Sequence, residues 1–238
     1  MARPLVDLLW RDHPAAVSRG ARGPRARVTT GDVVDAALAV ADAEGLRAVT
    51  VRRVGQQLDA SPMSVYTHVN SRDDLLVLMV DAAHARMAPA ELARRQWRTR
   101  VRLVAETNLQ LYRARPWLLE VADDRVALGP GTVAKYDHEL HAFDALSLDD
   151  IVRDAALTFV LDFVRASGRA QLLGSRAGEL AEVWDAVAPR LTAYLGDDFP
   201  LARRVGAAAG EAMQGAYSPR HAWRFGLERV IDGLATLS

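Results

Sequence analysis

The side chains best suited to contact another molecule lie between Thr50 and Arg72, in the stretch TVRRVGQQLDASPMSVYTHVNSR. Within it, Ser61, Ser64 and His68 recur at helical spacing on one side of a short predicted helix. Hydroxyl groups and an imidazole can donate and accept hydrogen bonds, as contacts to phosphates and base edges require. This side of the helix is therefore a candidate surface for binding a polar partner.

Two short helices must position these side chains. The first is predicted from the apolar residues Val51, Val54 and Leu58 at positions i, i+3 and i+7, and the second begins at Pro62. Because a tight turn joins them, the pattern predicts a helix-turn-helix, whose second helix enters the major groove of DNA. Thr50 and Ser61 are the predicted N-caps of the two helices. Helices this short need support, and an alanine-rich helix predicted from Thr30 to Gly45, opened by a capping box of Thr29 and Asp32, can provide it.

The run from Val33 to Asp81 resembles the DNA-binding signature of the TetR family of bacterial transcription regulators. The matching positions are Gly45, Thr50, Arg52, Leu58, Tyr66, His68, Val69, Arg72, Leu75 and Leu76. Three residues depart from the family pattern: Asp59 replaces the usual glycine of the turn, Gly55 the usual alanine, and Arg72 a common lysine. We expect Asp59 to adopt a left-handed backbone conformation, which aspartate tolerates better than most residues.

The resemblance implies which residues contact DNA. The implied phosphate contacts are Thr50, Arg52, Tyr66, His68 and Arg72. The implied contacts to base edges, at the start of the second helix, are Ser61, Pro62, Met63 and Ser64. The apolar Pro62 and Met63 suit thymine methyl groups, and the serines can pair with either base type. For Tyr66, a place in the core behind Val54 is the alternative interpretation.

No stretch of the second half alternates with period two for long, so we predict an all-α fold in three parts. One helix is predicted from Glu91 to Ala114, and helix breaks are predicted at Gly129, Gly131, Gly174 and Pro189. Residues 1–27 form a flexible basic N-terminal arm, residues 28–75 the helix-turn-helix domain, and residues 76–238 a helical effector-binding and dimerisation domain. A linker helix from Arg72 to about Ala88 connects the last two. The resemblance implies a homodimer through the C-terminal helices, and hence a near-palindromic operator.

The first 27 residues contain six arginines and two aspartates. Such a segment could follow the DNA backbone or enter a minor groove, and a solvated, disordered tail is the alternative. A brief apolar patch from Leu5 to Trp10 could dock back on the rest of the protein.

Composition excludes several classes of protein. The 238 residues include no cysteine and carry zero net charge, so thiol chemistry is excluded and positive charge for DNA must be local. No apolar run approaches the roughly eighteen residues of a membrane span, and no signal peptide opens the chain. We therefore expect a cytoplasmic protein with no membrane partner and no cofactor.

The second half carries candidate ligand contacts. Aromatic and polar side chains that could line a pocket are Asn108, Tyr112, Trp117, His138, Phe159, Asp162 and Phe163, with Phe143, Trp184 and Arg165 as further candidates. For each aromatic residue, an ordinary place in the core is the alternative. Ala127 stands where tetracycline-binding family members have a magnesium-binding histidine, so the resemblance does not extend to tetracycline–magnesium recognition.

Two further clusters could be functional sites, but each also has an ordinary structural interpretation. His138 and His141, spaced i and i+3, could bind zinc, but a third ligand is lacking and we predict no metal site. The arginine-rich segment 94–102 could face phosphates, or it could be a solvated face paired with the acidic residues of segment 120–124.

We predict a transcription regulator that responds to a small molecule and acts as a repressor. An effector of unknown identity would bind among the C-terminal helices and favour a conformer that holds the two recognition helices at the wrong separation. An all-helical enzyme and a dimeric binding protein that never touches DNA are the alternatives. No nucleophile elbow, phosphate loop, dinucleotide fingerprint or metal triad in the sequence supports an enzyme.

Overall fold

The computed structural model describes residues 3–16, 28–175, 178–213 and 217–237, without the side chains of 175–185, and these residues form no β-strand. The predicted all-α class is therefore confirmed. The α-helices in the described residues are α1 (Leu5–Leu9), α2 (Thr30–Glu44), α3 (Val51–Gln57), α4 (Pro62–Tyr66), α5 (Arg72–Ala85), α6 (Trp97–Ala114), α7 (Pro130–Leu140), α8 (Asp150–Ser175), α9 (Gly178–Leu195), α10 (Pro200–Met213) and α11 (Pro219–Leu234). Short 3-10 helices lie at Leu46–Ala48, Pro116–Leu119, Asp124–Leu128, His141–Phe143 and Ala235–Leu237.

The chain divides into two compact units. The first consists of Met1–Arg94 and Ala114–Asp144, and the second of Arg95–Arg113 and Ala145–Ser238. The first unit contains α1 to α5 together with α7, and the second contains α6 and α8 to α11. The predicted boundary after residue 75 falls within α5, and the three-part division stays a prediction.

Helix α5 is the centre of the first unit. It packs against α1, α2 and α7, and its residues from Asp74 to Asp81 are all buried. Ser71 caps its first turn by accepting a hydrogen bond from the Asp74 amide at 3.0 Å. The predicted linker helix thus begins where expected and ends three residues early, at Ala85.

Local caps explain where the helices around the turn begin. Thr29 and Asp32 form the predicted capping box at the start of α2. Thr50 caps α3 and Ser61 caps α4, each through its side-chain oxygen. Gly45 ends α2 with a positive φ of 83°, which residues other than glycine rarely adopt.

The second unit is organised around α8 and α11, which pack against each other. The rings of Phe163 and Trp223 stack with centroids 5.3 Å apart. A Cβ atom on Gly226 would overlap the Phe163 ring, so the missing side chain permits this contact. By contrast, α10 has no buried residue.

Two predicted features of the helices were wrong. The helix predicted from Glu91 begins only at Trp97, because Arg94 has a φ of 55°, which a right-handed helix excludes. Pro189 lies inside α9 instead of interrupting it. The break predicted at Gly174 lies one residue before the end of α8, and a Cβ atom there would come within 2.6 Å of the Pro219 ring, so this glycine also allows close helix packing.

The apolar patch near the N-terminus does dock. It forms α1, and its Leu8 and Leu9 are buried against a unit whose centre is α5. Residues 5–9 of the predicted arm are therefore docked, and its most basic portion, residues 17–27, lies outside the described residues. Among the helices of the described part, none is long and apolar enough to cross a membrane.

Candidate nucleic-acid interface

The turn between α3 and α4 brings two backbone segments close together. Asp59 has a φ of 50°, which is the left-handed conformation expected for it. The Ala60 amide donates to the Gly55 carbonyl at 2.9 Å, and a Cβ atom on Gly55 would lie 2.8 Å from the Ala60 carbonyl oxygen. Glycine therefore lets the turn fold back onto α3, which accounts for the departure from alanine.

Helix α4 presents large side chains to solvent. Ser61 caps it and Pro62 occupies its first position. Val65 is fully buried, whereas Met63 is 73% and Tyr66 52% exposed. The alternative of a core tyrosine is therefore wrong, and the Tyr66 hydroxyl is available to a partner outside the protein.

The start of α3 offers a hydroxyl and a guanidinium. Thr50 accepts a hydrogen bond from the Arg53 amide at 3.1 Å, which leaves its own O–H group able to donate. Arg52 is exposed and makes no hydrogen bond or ion pair with the described part of the chain. Arg53 instead pairs with Glu44 at 2.6 Å, so its contact lies within the DNA-binding head, which is formed by α2, α3 and α4.

His68 follows α4 and is partly buried. Its Nδ1 atom lies 3.3 Å from the Thr30 hydroxyl on α2. Burial holds the pKa of His68 below its usual range, Arg3 lowers it further, and Asp32 partly opposes both. The imidazole is therefore neutral at neutral pH, and a neutral imidazole can still donate one hydrogen bond to a phosphate oxygen.

Arg72, at the first position of α5, directs its guanidinium toward the backbone of the head. Its Nε donates to the Val49 carbonyl at 2.8 Å and its Nη2 to the Leu46 carbonyl at 3.0 Å. These bonds hold the segment that precedes Thr50 against the linker helix. The phosphate contact assigned to Arg72 from the sequence stays a prediction, and the observed contacts give the residue a positioning role.

Three predicted ligand contacts lie in the interior of the second unit. Asn108 is 1% exposed and donates to the Val104 carbonyl of its own helix at 2.9 Å. Tyr112 is partly buried one turn further along α6. Phe163 is also partly buried, in its stack with an α11 tryptophan.

Phe159 and Asp162 lie elsewhere on α8. Both are exposed, on a stripe of the helix that includes the exposed Ile151, Ala166 and Leu173. The residues of this stripe follow one another at spacings of eight, three, four and seven, so they share one helical face. Phe163 lies one turn after Phe159 but is partly buried, and the assignment of Phe159 and Asp162 as ligand contacts stays a prediction.

The remaining predicted ligand contacts lie in the first unit. Trp117 is 2% exposed, and its indole N–H donates to the Asp42 carboxylate at 2.7 Å. His138 donates through Nε2 to the Ala90 carbonyl at 2.9 Å. Of the further candidates, Phe143 is buried in the core, and the Trp184 side chain lies outside the described residues.

A surface groove of about 240 Å³ runs between α9 and α10. Alanine, glycine and leucine side chains line most of it, with Arg203 and Glu211 as its charged groups. None of the seven predicted ligand contacts lines this groove.

The second half of the chain matches a known protein family. Residues 88–238 match the model described as "Tetracyclin repressor-like, C-terminal domain". Over 240 residues the chain is 34% identical to the HTH-type transcriptional repressor DrrR1 of Streptomyces coeruleorubidus, covering 98% of this chain and 85% of that protein. The chain belongs to the TetR family.

Solved structures of another TetR-family protein agree with this assignment. Apo ActR of Streptomyces coelicolor superposes with a TM-score of 0.72 at 27% identity, covering 89% of this chain and 97% of ActR. ActR in complex with actinorhodin gives a TM-score of 0.70 at 26% identity, covering 90% of this chain and 98% of that one. As a member of this family, the chain is a transcriptional regulator.

Part of the TetR-type C-terminal region packs on the DNA-binding head. The family match includes residues 115–140, yet these residues lie in the first unit. Arg115 pairs with Asp42 of α2 at 3.2 Å, the same carboxylate that accepts the Trp117 N–H. Nothing in the sequence indicates that Asp42 and Arg115 are partners, because 73 residues separate them and no local pattern links them.

The same region also packs on the linker helix. The Asp81 carboxylate on α5 accepts a hydrogen bond from the Thr132 amide at 2.8 Å and so caps the N-terminus of α7. Burial raises the pKa of Asp81, opposed by its hydrogen bonds from Thr132 and Gly131. The glycines at 129 and 131 mark this close approach, although the sequence predicted only a helix break there.

The two remaining clusters behave as ordinary surface groups in this TetR-family chain. No group of three His, Cys, Asp or Glu side chains in the described residues could hold a metal ion. In the arginine-rich segment, Arg98 pairs with Asp232 at 3.1 Å and Arg102 with Glu228 at 2.9 Å. Two arginines of that segment are thus paired with acidic residues of α11.

Proposed function

We propose that the protein is a homodimeric repressor that binds a near-palindromic operator through α4 and releases it when a small organic molecule binds the C-terminal region. The observation that carries the proposal is the exposure of α4. A methionine that is 73% exposed and a tyrosine that is 52% exposed, on a five-residue helix, contribute little to the core. Placed in a major groove, Met63 can contact thymine methyl groups and Tyr66 a phosphate.

The homodimer is supported by the exposed stripe of α8. Ile151 is 83%, Phe159 54% and Leu173 64% exposed, and Phe225 on α11 is 60% exposed. An apolar stripe on two helices of one unit is the surface that a second copy would cover in a four-helix bundle. We therefore assign Phe159 to the dimer interface in preference to a ligand pocket.

The coupling of effector to operator is supported by the contacts of segment 115–140. This segment belongs to the matched C-terminal domain, and it is bonded to α2 through Asp42 and to α5 through Asp81. A ligand that favours a different position of the segment must therefore shift the head and the linker helix with it. Such a ligand acts by its differential affinity for the two conformers.

A small organic effector is supported by the relative ActR, which has been solved with actinorhodin bound. We propose that Asn108, Tyr112 and Phe163, which lie in the second unit, contact it. The aromatic rings supply apolar area, and the amide supplies directed hydrogen bonds.

Operator binding tests the proposal. We expect purified protein to bind the DNA flanking its own gene saturably, with affinity that falls steeply as salt rises. Tyr66→Ala removes one phosphate contact per subunit, so the dimer should lose about 2 kcal/mol of binding free energy, roughly 30-fold in Kd. Titration by fluorescence anisotropy across a salt series measures both quantities.

Tyr194→Ala is the matched control, because Tyr194 is 81% exposed but lies on α9. It should bind as the wild type does. Equal affinity of the Tyr66→Ala variant and wild type, or no operator in the flanking DNA or in a random-sequence selection, would refute the assignment of α4.

His68 should make operator binding depend on pH. In the free protein, the pKa of His68 is lower in the folded than in the unfolded state. The neutral ring therefore favours folding above about pH 6.5, and this contribution to stability is lost as the pH falls through the folded-state pKa. Operator phosphates raise that pKa, so binding takes up protons at low pH. Affinity should therefore rise between pH 7.5 and 6, by at most about tenfold per pH unit for each imidazole.

His68→Gln should flatten this pH dependence, because glutamine does not titrate. The neighbouring Asp32 stays ionised over this pH range, since its hydrogen bonds with Thr29 lower its pKa. Anisotropy titrations at constant ionic strength provide the measurement. Identical pH profiles for the variant and wild type would show that His68 does not face phosphate.

A further inference from the structure

The N-terminal segment is attached to the DNA-binding head at several points. Leu8 and Leu9 of α1 are buried, and α1 packs against α5. The indole N–H of Trp10 donates to the Leu128 carbonyl at 2.8 Å. Residues 3–10 are therefore packed against the rest of the first unit.

Arg3, at the start of this segment, is placed beside the exit of the recognition helix. The Asn70 side-chain amide donates to the Arg3 carbonyl at 2.8 Å, and Asn70 lies in the turn that joins α4 to α5. The same amide nitrogen donates to the Asp74 carboxylate at 2.9 Å. Asn70 is thus anchored to α5, and it fixes the backbone of Arg3 next to the residues that follow α4.

The Arg3 guanidinium is available for a contact outside the protein. Its side chain is exposed and makes no hydrogen bond or ion pair with the described residues. Its positive charge is close enough to His68 to act on that imidazole. Two carboxylates of the same region already have partners, since Asp74 pairs with Arg125 at 2.8 Å and Asp32 accepts from Thr29 at 2.7 Å.

We propose that Arg3 is an operator phosphate contact, placed beside Asn70, two residues after His68, by the docking of α1 on the linker helix. This inference rests on the proposed operator binding by α4. It adds to each half of the dimer one cation that the family pattern of residues 33–81 does not include. An exposed guanidinium is suited to bind a phosphate, because arginine can donate two parallel hydrogen bonds to its oxygen atoms.

The test is the salt dependence of operator binding by Arg3→Gln. Each phosphate contact contributes about 0.9 to the slope of log Kobs against log salt concentration. We expect the slope to fall by about two for the dimer, and affinity near 0.1 M salt to fall on the order of tenfold. The Arg3 carbonyl stays bonded to Asn70 in this variant, so the melting temperature should not change.

Two matched variants separate a phosphate contact from a general charge effect. Arg204→Gln removes the same charge from an exposed arginine of α10 that has no partner in the described part of the chain. It should leave the slope unchanged. Arg3→Lys should restore most of the slope, because lysine keeps the charge.

Phosphate ethylation interference gives a second readout. One interfering phosphate per half-site in the wild-type complex should become insensitive to ethylation in the Arg3→Gln complex. An Arg3→Gln variant with the wild-type slope and interference pattern overturns the inference while leaving operator binding by α4 intact. Absence of operator binding by the wild type would instead overturn the proposed function itself.

Discussion

A variant with Phe159→Asp and Phe225→Asp is expected to be a monomer that binds the operator at least about a hundredfold more weakly than the wild type. Both phenylalanines are more than half exposed in one chain, at 54% and 60%, so the substitutions leave its core intact. In a four-helix bundle the same side chains would be buried against a second copy, where unpaired carboxylates cost several kcal/mol. A monomer then loses the gain of binding two linked half-sites, which is about 10²- to 10⁴-fold.

Sedimentation velocity gives the oligomeric state, and anisotropy titration gives the operator affinity. The control is Phe199→Asp, since Phe199 is also 55% exposed but precedes α10; it should remain dimeric. A double variant that sediments as a dimer would place the interface elsewhere. A variant that is monomeric but keeps full affinity would show that one subunit suffices for the operator.

Gly131→Ala is expected to lower the free energy of unfolding by about 2 kcal/mol, within the range for overpacking a close contact. A Cβ atom at this position would overlap the backbone carbonyl of Asp81 and would lie 2.8 Å from the Ala85 side chain. Both neighbours belong to α5, so neither can rotate away. Relief requires α7 to move off the linker helix, which weakens the Asp81 cap as well.

Gly233→Ala on α11 is the matched control, because nothing lies within 4 Å of a Cβ atom there. Alanine in an open helical position should stabilise by about 0.5 to 1 kcal/mol. Chemical denaturation of the three proteins therefore yields shifts of opposite sign. Equal midpoints for Gly131→Ala and the wild type would show that α7 and α5 are not packed through this glycine.

Features that depend on near neighbours in the chain were predicted correctly. The capping box at Thr29 and Asp32, the caps at Thr50 and Ser61, and the left-handed Asp59 all followed from residue type and position. Each involves hydrogen bonds or torsions within about four residues, which local sequence encodes directly.

Features that depend on distant partners were predicted poorly. The indole of Trp117 bonds to Asp42, which lies 75 residues earlier, and no local pattern indicated this partner. The contact of Gly174 with Pro219 was likewise not indicated by the sequence around either residue. A single sequence contains the residue types of such contacts without the pairing, because burial and long-range partners are set only when helices pack.

The sequence alone therefore determined the all-α class, the helix-turn-helix and the side chains that α4 exposes to solvent, because amphipathic spacing and caps are local. Only the tertiary structure decided that Arg72 bonds the Leu46 and Val49 carbonyls, that Phe159 lies on an open stripe of α8, and that α1 holds Arg3 beside Asn70. These features arise when helices that are far apart in the chain bury their apolar faces together, and the polar groups at their edges then pair with whichever partners the packing brings within reach.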